Sequence, residues 1–462
     1  MVESLQIRNE GDHFQVSENV FNNLPPWQRE LWKDVRDAFI GPYSGYVDYL
    51  APHADPERCL KIEPRYKELM YIDGQYCEVA LRSQARPGQK AASWPFVRDV
   101  GGRPLDYVFE PEPFAKVFGH YFDLAVRSLQ AGDHATAAKA AGIVSHIFCD
   151  RQPGDHIEPA LWVGLILPPP DEMRSKLSDC NGLTTQDVQI PRVLYKPQLL
   201  GTTAPEAMFR FFHRHLDMMK RSIPQITKML LAVYRGEPQE AQRILSHNRL
   251  QGIEVISDFI YTAFCVAFNR FDGAEQTASQ ALDITQIYPT VNQMDYLYLY
   301  GPYTDAVIDN LTSGKYTKIP PELLVVRDDR TETKVVRPVL AVLPDSGAQW
   351  PEKIARLVYE LPVDASGRSV YKKFTCLAGM PPKLSVHQSN ELKGKVAVKV
   401  LGDGKTLFEK SPVNGGEPAF EIDVPLEGVR QLELLVTGLH RTTDDFWLGH
   451  FIWGCPVVHK NP

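Results

Sequence analysis

The period of the hydrophobic pattern changes near residue 318, and this change limits the chain to an architecture of two parts. Before it, apolar residues recur at helical spacing, as in ENVFNNLPPWQRELWKDVRDAFIG, where Pro25 and Pro26 suit a first helical turn. After it, segments such as KVVRPVLAVL, IARLVYELPV and RQLELLVTGL are rich in valine, isoleucine and leucine, and LGDGKT is a two-residue hairpin signal. We therefore predict a multidomain α and β protein, with a mostly α-helical domain over residues 1–325 and an antiparallel β-sandwich over residues 330–462.

Two adjacent segments carry the clearest helical pattern. EPFAKVFGHYFDLAVRSLQAGD is amphipathic, and DHATAAKAAGIVSHIFCD follows it, with Asp133 suited to cap its N-terminus. The short AGDH link between them predicts an antiparallel helix pair. Proline and glycine are frequent at 85–112 and proline at 157–205, which predicts loops, and helices are expected to continue from there to about residue 312.

Charge and hydropathy narrow the classes of partner. The formal net charge of -7 gives no electrostatic reason to expect binding to duplex DNA or to an anionic membrane. The sequence contains no run of about eighteen apolar residues, so it predicts no membrane span. The stretch MVESLQIRNEGDHFQV lacks the basic and apolar regions of a signal peptide. The compartment stays open: secreted or periplasmic if a signal was removed, otherwise cytoplasmic.

The seven cysteines are dispersed and form no CxxC pair, which argues against a disulfide framework and against a cysteine-based zinc site. Any metal ligands are therefore expected to be histidines and carboxylates. The stretch SHIFCDRQPGDHIEP places His146 and Asp150 four residues apart, on one face of a helix, and His156 after a turn.

The same four-residue spacing recurs at His213 and Asp217, and His13 opens the first helical segment. Imidazole nitrogen and carboxylate oxygen are ligands that zinc accepts, and a carboxylate can bridge two ions. A single His-x3-Asp pair is also common on solvated helix faces, so the spacing alone leaves both interpretations open.

The stretch around His146 resembles a known protein family. YFDLAVRSLQAGDHATAAKAAGIVSHIFCDRQPGDH is similar to the core helix hairpin of the zinc-dependent bacterial phospholipases C and the fungal-type single-strand nucleases. The shared pattern is Tyr-Phe-x-Leu-Ala, a short hairpin, His-x3-Asp, a proline in the turn, and a histidine ten residues after the first. His146, Asp150 and His156 fit it, with the proline, Pro153, displaced by one place. The resemblance covers about residues 10–310 and implies that fold for the helical domain.

The resemblance also implies a set of metal ligands, namely His13, Asp48, His146, Asp150, His156, His213 and Asp217. His156, His213 and Asp217 would complete one zinc site. The chain departs from the family at Pro95, which stands where a histidine ligand is usual, and it offers no counterpart of the family's N-terminal tryptophan. His53 or His120 could take a missing place. The implied cofactor is therefore one to three zinc ions.

For function, the resemblance implies hydrolysis of a phosphoester, in a small-molecule or polymeric substrate, by a zinc-activated water. Asp150 would bridge ions, and Asp48 would orient or deprotonate the attacking water. Because Pro95 removes one expected ligand, two alternatives stay open. One is a non-catalytic glycan- or surface-binding protein with a structural zinc ion, and the other is a carbohydrate-active hydrolase that reuses the helical fold.

The C-terminal part resembles the carbohydrate-binding modules of the NPCBM type over about residues 336–460. The similarity lies in the order of a hairpin with Asp-Gly, a GGEP turn, IDVPLEGVRQLELLVTG, and a closing strand with Trp453. It implies a jelly-roll order of the strands in the β-sandwich. It also implies sugar recognition through loop aromatics and hydrogen-bonding side chains, with Trp447 as the candidate. Trp453 is expected to lie in the core.

Overall fold

The computed structural model describes residues 11–45, 47, 65–77, 111–151, 170–174, 189–293, 303–304, 321–344, 353–364, 366–382, 394–439 and 450–461. These residues form two compact units, the first ending at Ser279 and the second beginning at Gln280. The first unit is helical and the second consists mainly of antiparallel sheets, which confirms the prediction of a multidomain α and β protein.

The helices of the first unit follow the predicted helical pattern closely at its clearest segments. Prolines occupy the first turns of three of them, where their missing N–H group costs no hydrogen bond. A short hairpin of β1 (Tyr71–Ile72) and β2 (Gln75–Tyr76) is also present. The helices are α1 (Gly11–Asn23), α2 (Pro26–Trp32), α3 (Arg36–Ile40), α4 (Pro42–Gly45), α5 (Arg65–Met70), α6 (Pro111–Gln130), α7 (His134–Arg151), α8 (Asp171–Arg174), α9 (Ala204–Tyr234), α10 (Pro238–Phe268) and α11 (Gly273–Ala278).

The predicted helix pair is formed by α6 and α7, which are joined by the turn at 131–133. Gly132 has a φ of 75°, a conformation that glycine adopts without steric cost. Asp133 accepts a hydrogen bond from the Thr136 N–H at 3.0 Å, so the predicted N-cap of the second helix is confirmed. The pair therefore owes its short connection to a left-handed glycine followed by a capping carboxylate.

Aromatic side chains join four of these helices into one core. The rings of Phe148 on α7 and Phe211 on α9 lie 4.7 Å apart, and Phe211 is also 4.7 Å from Phe259 on α10. Phe114 and Phe118 on α6 complete the cluster, with ring centroids 4.4 Å apart. All five are essentially inaccessible to solvent. Burial of rings of this size dominates the stability of a core, so α6, α7, α9 and α10 form the frame of the first unit.

Helix α10 is long and apolar enough to cross a membrane by length and composition, although no uninterrupted apolar run predicted a span. In the structure, 78% of its most apolar window is buried inside the protein. It is a core helix of the first unit, which accounts for its composition.

An extended segment, residues 189–200, crosses the first unit and is called the strap below. It is held by side chains, and within the described residues it pairs with no strand. Amide side chains of α1 accept hydrogen bonds from its backbone N–H groups. The pairs are Ile190–Gln15 (2.8 Å), Val193–Asn19 (3.0 Å) and Tyr195–Asn23 (3.1 Å). Side chains of α10 do the same in the pairs Gln198–Asp258 (2.7 Å) and Leu200–Thr262 (3.0 Å). The strap thus ties α1 to α10.

The second unit consists mainly of two antiparallel sheets. One has the strand order β13-β10-β15-β8-β5, with β3 also paired to β15, and the other has the order β12-β11-β14-β9-β4. Asp403 and Gly404, with φ of 49° and 77°, form the predicted hairpin turn between β11 and β12. The strands are β3 (Ala281–Asp283), β4 (Val291–Gln293), β5 (Tyr303–Thr304), β6 (Glu322–Arg327), β7 (Arg330–Val335), β8 (Val339–Val342), β9 (Ile354–Glu360), β10 (Lys373–Gly379), β11 (Lys395–Gly402), β12 (Lys405–Asn414), β13 (Phe420–Pro425), β14 (Gln431–Gly438) and β15 (Phe451–His459).

The prediction of helices up to about residue 312 is wrong from β3 onward. Residues 281–283 pair with β15 and residues 291–293 pair with β9, so both belong to the C-terminal sheets. Their local sequence has no strong strand signal, and the pairing with distant strands determines their conformation. The second unit therefore begins well before the predicted limits of 325 and 330.

Strand burial in the second unit alternates, as expected for sheets with one face on a core. Trp453 is fully buried, which confirms its expected place in the core. Strands β6 and β7 form a separate two-stranded hairpin. Its base is anchored by Leu323, which is fully buried with Val336, Val339 and Ile452. All six residues of β7 are exposed to solvent.

Candidate metal centre

Two of the predicted ligands, 133 positions apart in the sequence, are brought together in the first unit. The imidazoles of His13 on α1 and His146 on α7 are stacked, with ring centroids 4.3 Å apart and planes inclined by 10°. His146 is fully buried and His13 is 9% exposed. One turn further along α1, the hydroxyl of Ser17 hydrogen-bonds that of Ser145 at 2.8 Å, which fastens the two helices beside the histidines.

The orientation of His146 is fixed by a backbone carbonyl. Its Nδ1 lies 2.7 Å from the carbonyl oxygen of Ser44, at the end of α4. A carbonyl can only accept a hydrogen bond, so Nδ1 carries the proton and Nε2 bears the lone pair in the neutral ring. Histidines that bind zinc are commonly held in this way, by a hydrogen bond from the other ring nitrogen.

The second predicted pair lies on α9, one helical turn apart. His213 is buried, and its ring packs edge-on against Phe209 and Phe212, with centroids 4.5 and 5.4 Å away. Burial lowers the pKa of His213 to about 3, so its imidazole is neutral at physiological pH, the form that coordinates metal. Asp217 is 41% exposed and forms an ion pair with Arg221 at 3.1 Å.

The remaining predicted ligands cannot be placed at the stack. Asp48 and His156 lie outside the described residues, as does the alternative ligand His53. Pro95 and the predicted glycan-binding residue Trp447 lie outside them as well. Asp150 lies in the last turn of α7, but its side chain is outside the described set. His120 is on α6, and burial lowers its pKa. Within the described part of the chain, no group of three or more histidine, cysteine or acidic side chains is arranged to hold a metal ion.

The described residues offer two of the four ligands that a structural zinc site needs. Zinc in a structural site takes four nitrogen, sulfur or oxygen ligands. The stack offers two buried imidazoles side by side, one of them aligned by the Ser44 carbonyl. Two protonated rings in this arrangement would repel each other, whereas a bound cation would favour the neutral form of both. The chemistry of this donor pair is thus suited to a divalent ion.

Sequence reasoning missed the residues that support the stack. Ser17 lies one helical turn after His13, so their shared face of α1 was visible in the spacing. Ser145 directly precedes His146, and adjacent helix positions do not share a face, so its role had no such signal. The role of Ser44 rests on its backbone carbonyl and has no signal in its side chain. His215, two residues after His213, packs in the aromatic core against Phe148 at 5.1 Å.

Comparison with known proteins adds evidence mainly for the second unit. Residues 359–457, from β9 to β15, match the family model described as the NPCBM/NEW2 domain. No curated protein matches the chain.

Among solved structures, CBM51-2 with the INT domains of Clostridium perfringens ZmpB is similar at 15% identity and a TM-score of 0.27, over 39% of this chain and 31% of that one. This chain therefore spans about a third of that structure. CBM51 of Clostridium perfringens GH95, in complex with methyl-galactose, is 12% identical with a TM-score of 0.28, over 38% and 99% of the two chains.

A Clostridium perfringens alpha-toxin is 9% identical with a TM-score of 0.27, over 97% of this chain and 92% of that one. TM-scores this low do not establish a shared fold. What the comparisons support is a C-terminal NPCBM/NEW2 domain over residues 359–457.

Proposed function

We propose that the first unit is a zinc-dependent hydrolase of phosphoesters and that the second unit binds a glycan. The observation that supports the first half is the buried stack of His13 and His146, with His146 aligned by the Ser44 carbonyl. Histidines that bind a metal commonly donate their other ring N–H to such an acceptor. The sequence of the helix pair that carries His146 also resembles that of zinc-dependent phospholipases C and single-strand nucleases.

In this proposal the described residues have distinct tasks. His13 and His146 would hold the ion, together with the predicted ligands Asp48, Asp150 and His156. The Ser44 carbonyl keeps the proton of His146 on Nδ1, so that Nε2 keeps the lone pair that would bind the ion. When bound, zinc supplies a Lewis acid that lowers the pKa of a water and neutralises charge on the phosphoryl oxygens.

The second predicted pair would complete the centre from α9. His213 is already neutral because of its burial, so it would bind a cation without first losing a proton. The ion pair of Asp217 with Arg221 would have to open for Asp217 to become a ligand. Because both residues of that ion pair are about 40% exposed, opening it costs less than about 1 kcal/mol.

Metal analysis of the purified chain tests the centre. We expect one to three zinc ions per chain in the wild type and a loss of bound zinc in His146→Ala. His134→Ala is the matched control, because His134 lies on the same helix and its Nδ1 also bonds a backbone carbonyl, Leu31 O at 2.7 Å. Equal zinc content in both variants and in the wild type would remove His146 from the site.

Activity is tested with bis(p-nitrophenyl) phosphate as a chromogenic phosphodiester. We expect turnover that is lost with chelation and restored by zinc, and loss of turnover with retained folding in His146→Ala. For Asp48→Asn, we expect turnover to fall more than zinc content, because a general base contributes to the rate as well as to binding. A single tightly held ion without turnover would instead favour the non-catalytic alternative with a structural zinc.

The match of residues 359–457 to the NPCBM/NEW2 domain supports the second half of the proposal. We infer that this unit binds a glycan through its loops and that its strands follow the jelly-roll order. Binding of the whole chain to an immobilised glycan panel tests this. We expect Trp447→Ala to weaken the binding. Trp453 is not substituted, because it is a buried core residue. If a glycoside were hydrolysed while the phosphodiester was not, the carbohydrate-active alternative would replace the phosphoesterase.

A further inference from the structure

The β6–β7 hairpin projects a free strand edge from the second unit. Within the described residues β7 pairs only with β6, and every residue of β7 is exposed. Val326 and Val335 on this hairpin are 60% and 58% exposed. An exposed edge of this kind presents unpaired N–H and C=O groups to any strand that can align with it. We propose that β7 pairs with β7 of a second copy of this chain, as an antiparallel two-fold dimer.

The turn of the hairpin determines which backbone groups of β7 reach the free edge. Asp328 and Asp329 have φ of 47° and 62°, the conformation of a two-residue type I′ turn. The residues that flank such a turn, Arg327 and Arg330, exchange both of their hydrogen bonds across the hairpin. Because bonded and non-bonded pairs alternate in an antiparallel ladder, the next residues along each strand point outward.

Two hydrogen bonds at the base of the hairpin follow the same alternation. Val336 N donates to Pro321 O at 2.7 Å, as a bonded pair should. Leu324 O, which must point away from β7, accepts instead from Ala419 N at 2.7 Å. One edge of the hairpin is therefore used in part at Leu324, and no strand of the described residues pairs with the other. The residues that present N–H and C=O at the open edge are Thr331, Thr333 and Val335.

Backbone and side chains favour the same register between two copies. With Thr333 opposite Thr333 of the partner, Thr331 faces the partner's Val335 and the reverse, so all three outward residues form bonded pairs. This register yields about six interchain hydrogen bonds, more than any neighbouring one. It also places Glu332 opposite the partner's Lys334, in the non-bonded pairs where side chains lie closest.

The neighbouring registers are opposed by charge. A shift that centres the two-fold axis on Glu332 sets two glutamates face to face and Arg330 against the partner's Lys334. A shift in the other direction centres the axis on Lys334 and sets two lysines face to face. Like charges directly opposite each other destabilise a strand pair. Charged residues commonly protect exposed edges, but here the Glu332-Thr333-Lys334 order is complementary to itself.

Cysteine substitution tests the register directly in the full-length protein. Thr333→Cys places two thiols on the two-fold axis, with Cα atoms about 5.5 Å apart, within the reach of a disulfide. We expect mild oxidation to produce a covalent dimer on a non-reducing gel. Thr331→Cys is the matched control, because its two copies would lie about 13 Å apart, beyond disulfide reach. The wild type serves as the blank for the exposed thiol of Cys455.

Charge exchange tests the specificity by sedimentation equilibrium. We expect the wild type to dimerise reversibly and Lys334→Glu to raise the dimer dissociation constant about tenfold, since both Glu332 contacts become repulsive. The double variant Glu332→Lys, Lys334→Glu should restore dimerisation, because the exchanged charges are complementary again. A wild type that stays monomeric, or equal cross-linking of the two cysteine variants, would overturn the proposal.

Discussion

The buried imidazole of His213 makes the stability of the first unit depend on pH. Burial lowers its pKa from 6.5 to about 3, so the native state stays neutral while the unfolded chain takes up a proton below 6.5. Stability contributed by this group is complete above 6.5 and is lost as the pH falls. Each unit below that value costs about 1.4 kcal/mol, so a measurement at about pH 5 should show a loss of about 2 kcal/mol.

Urea unfolding of the wild type and His213→Gln at about pH 7.5 and pH 5, in the presence of a chelator, measures this loss. The variant cannot protonate at this position, so we expect its stability to fall by about 2 kcal/mol less than that of the wild type between the two conditions. His247→Gln is the control on α10, because an exposed side chain is hydrated in both states. Equal pH dependence in the wild type and His213→Gln would refute the reasoning.

Two further substitutions, one in each unit, test buried contacts. Thr262→Val removes the acceptor of the Leu200 N–H and leaves that buried donor unsatisfied. We therefore expect the free energy of unfolding in urea to fall by about 1–3 kcal/mol. Thr277→Val on the exposed α11 is the control and should lower it by less than about 0.5 kcal/mol. In β15, Gly454→Ala would place a methyl group against the side chain of Val336. We expect calorimetry to show a lower melting temperature, corresponding to about 1–3 kcal/mol of overpacking.

The parts of the fold that the sequence predicts well are those controlled by local signals. The α6–α7 pair has an amphipathic period, a glycine turn and a capping aspartate, and all three are found. The hairpin at Asp403 and Gly404 is similarly local. In contrast, β3 and β4 take their conformation from pairing with β15 and β9, which follow them by many residues and leave no trace in their own pattern.

The candidate site divides in the same way. The four-residue spacing of His213 and Asp217 places them on one helix face, and this needs only the helical period. The stack of His13 on His146 depends on the packing of α1 against α7, and only the family resemblance anticipated that both would belong to one site. The alignment of His146 by Ser44 depends on a backbone carbonyl, so no side-chain pattern could predict it.

Helix α1 has two occupied faces, and this links the strap to the chemistry proposed for the stack. His13 and Ser17 face α7, while Gln15, Asn19 and Asn23 accept the strap's N–H groups. A loss or gain of one residue in the strap would break the match between its N–H groups and successive turns of α1. The spacing of these three hydrogen bonds therefore fixes the length of the strap against the helix that carries His13. Insertions and deletions in the strap are constrained, although its conformation is irregular.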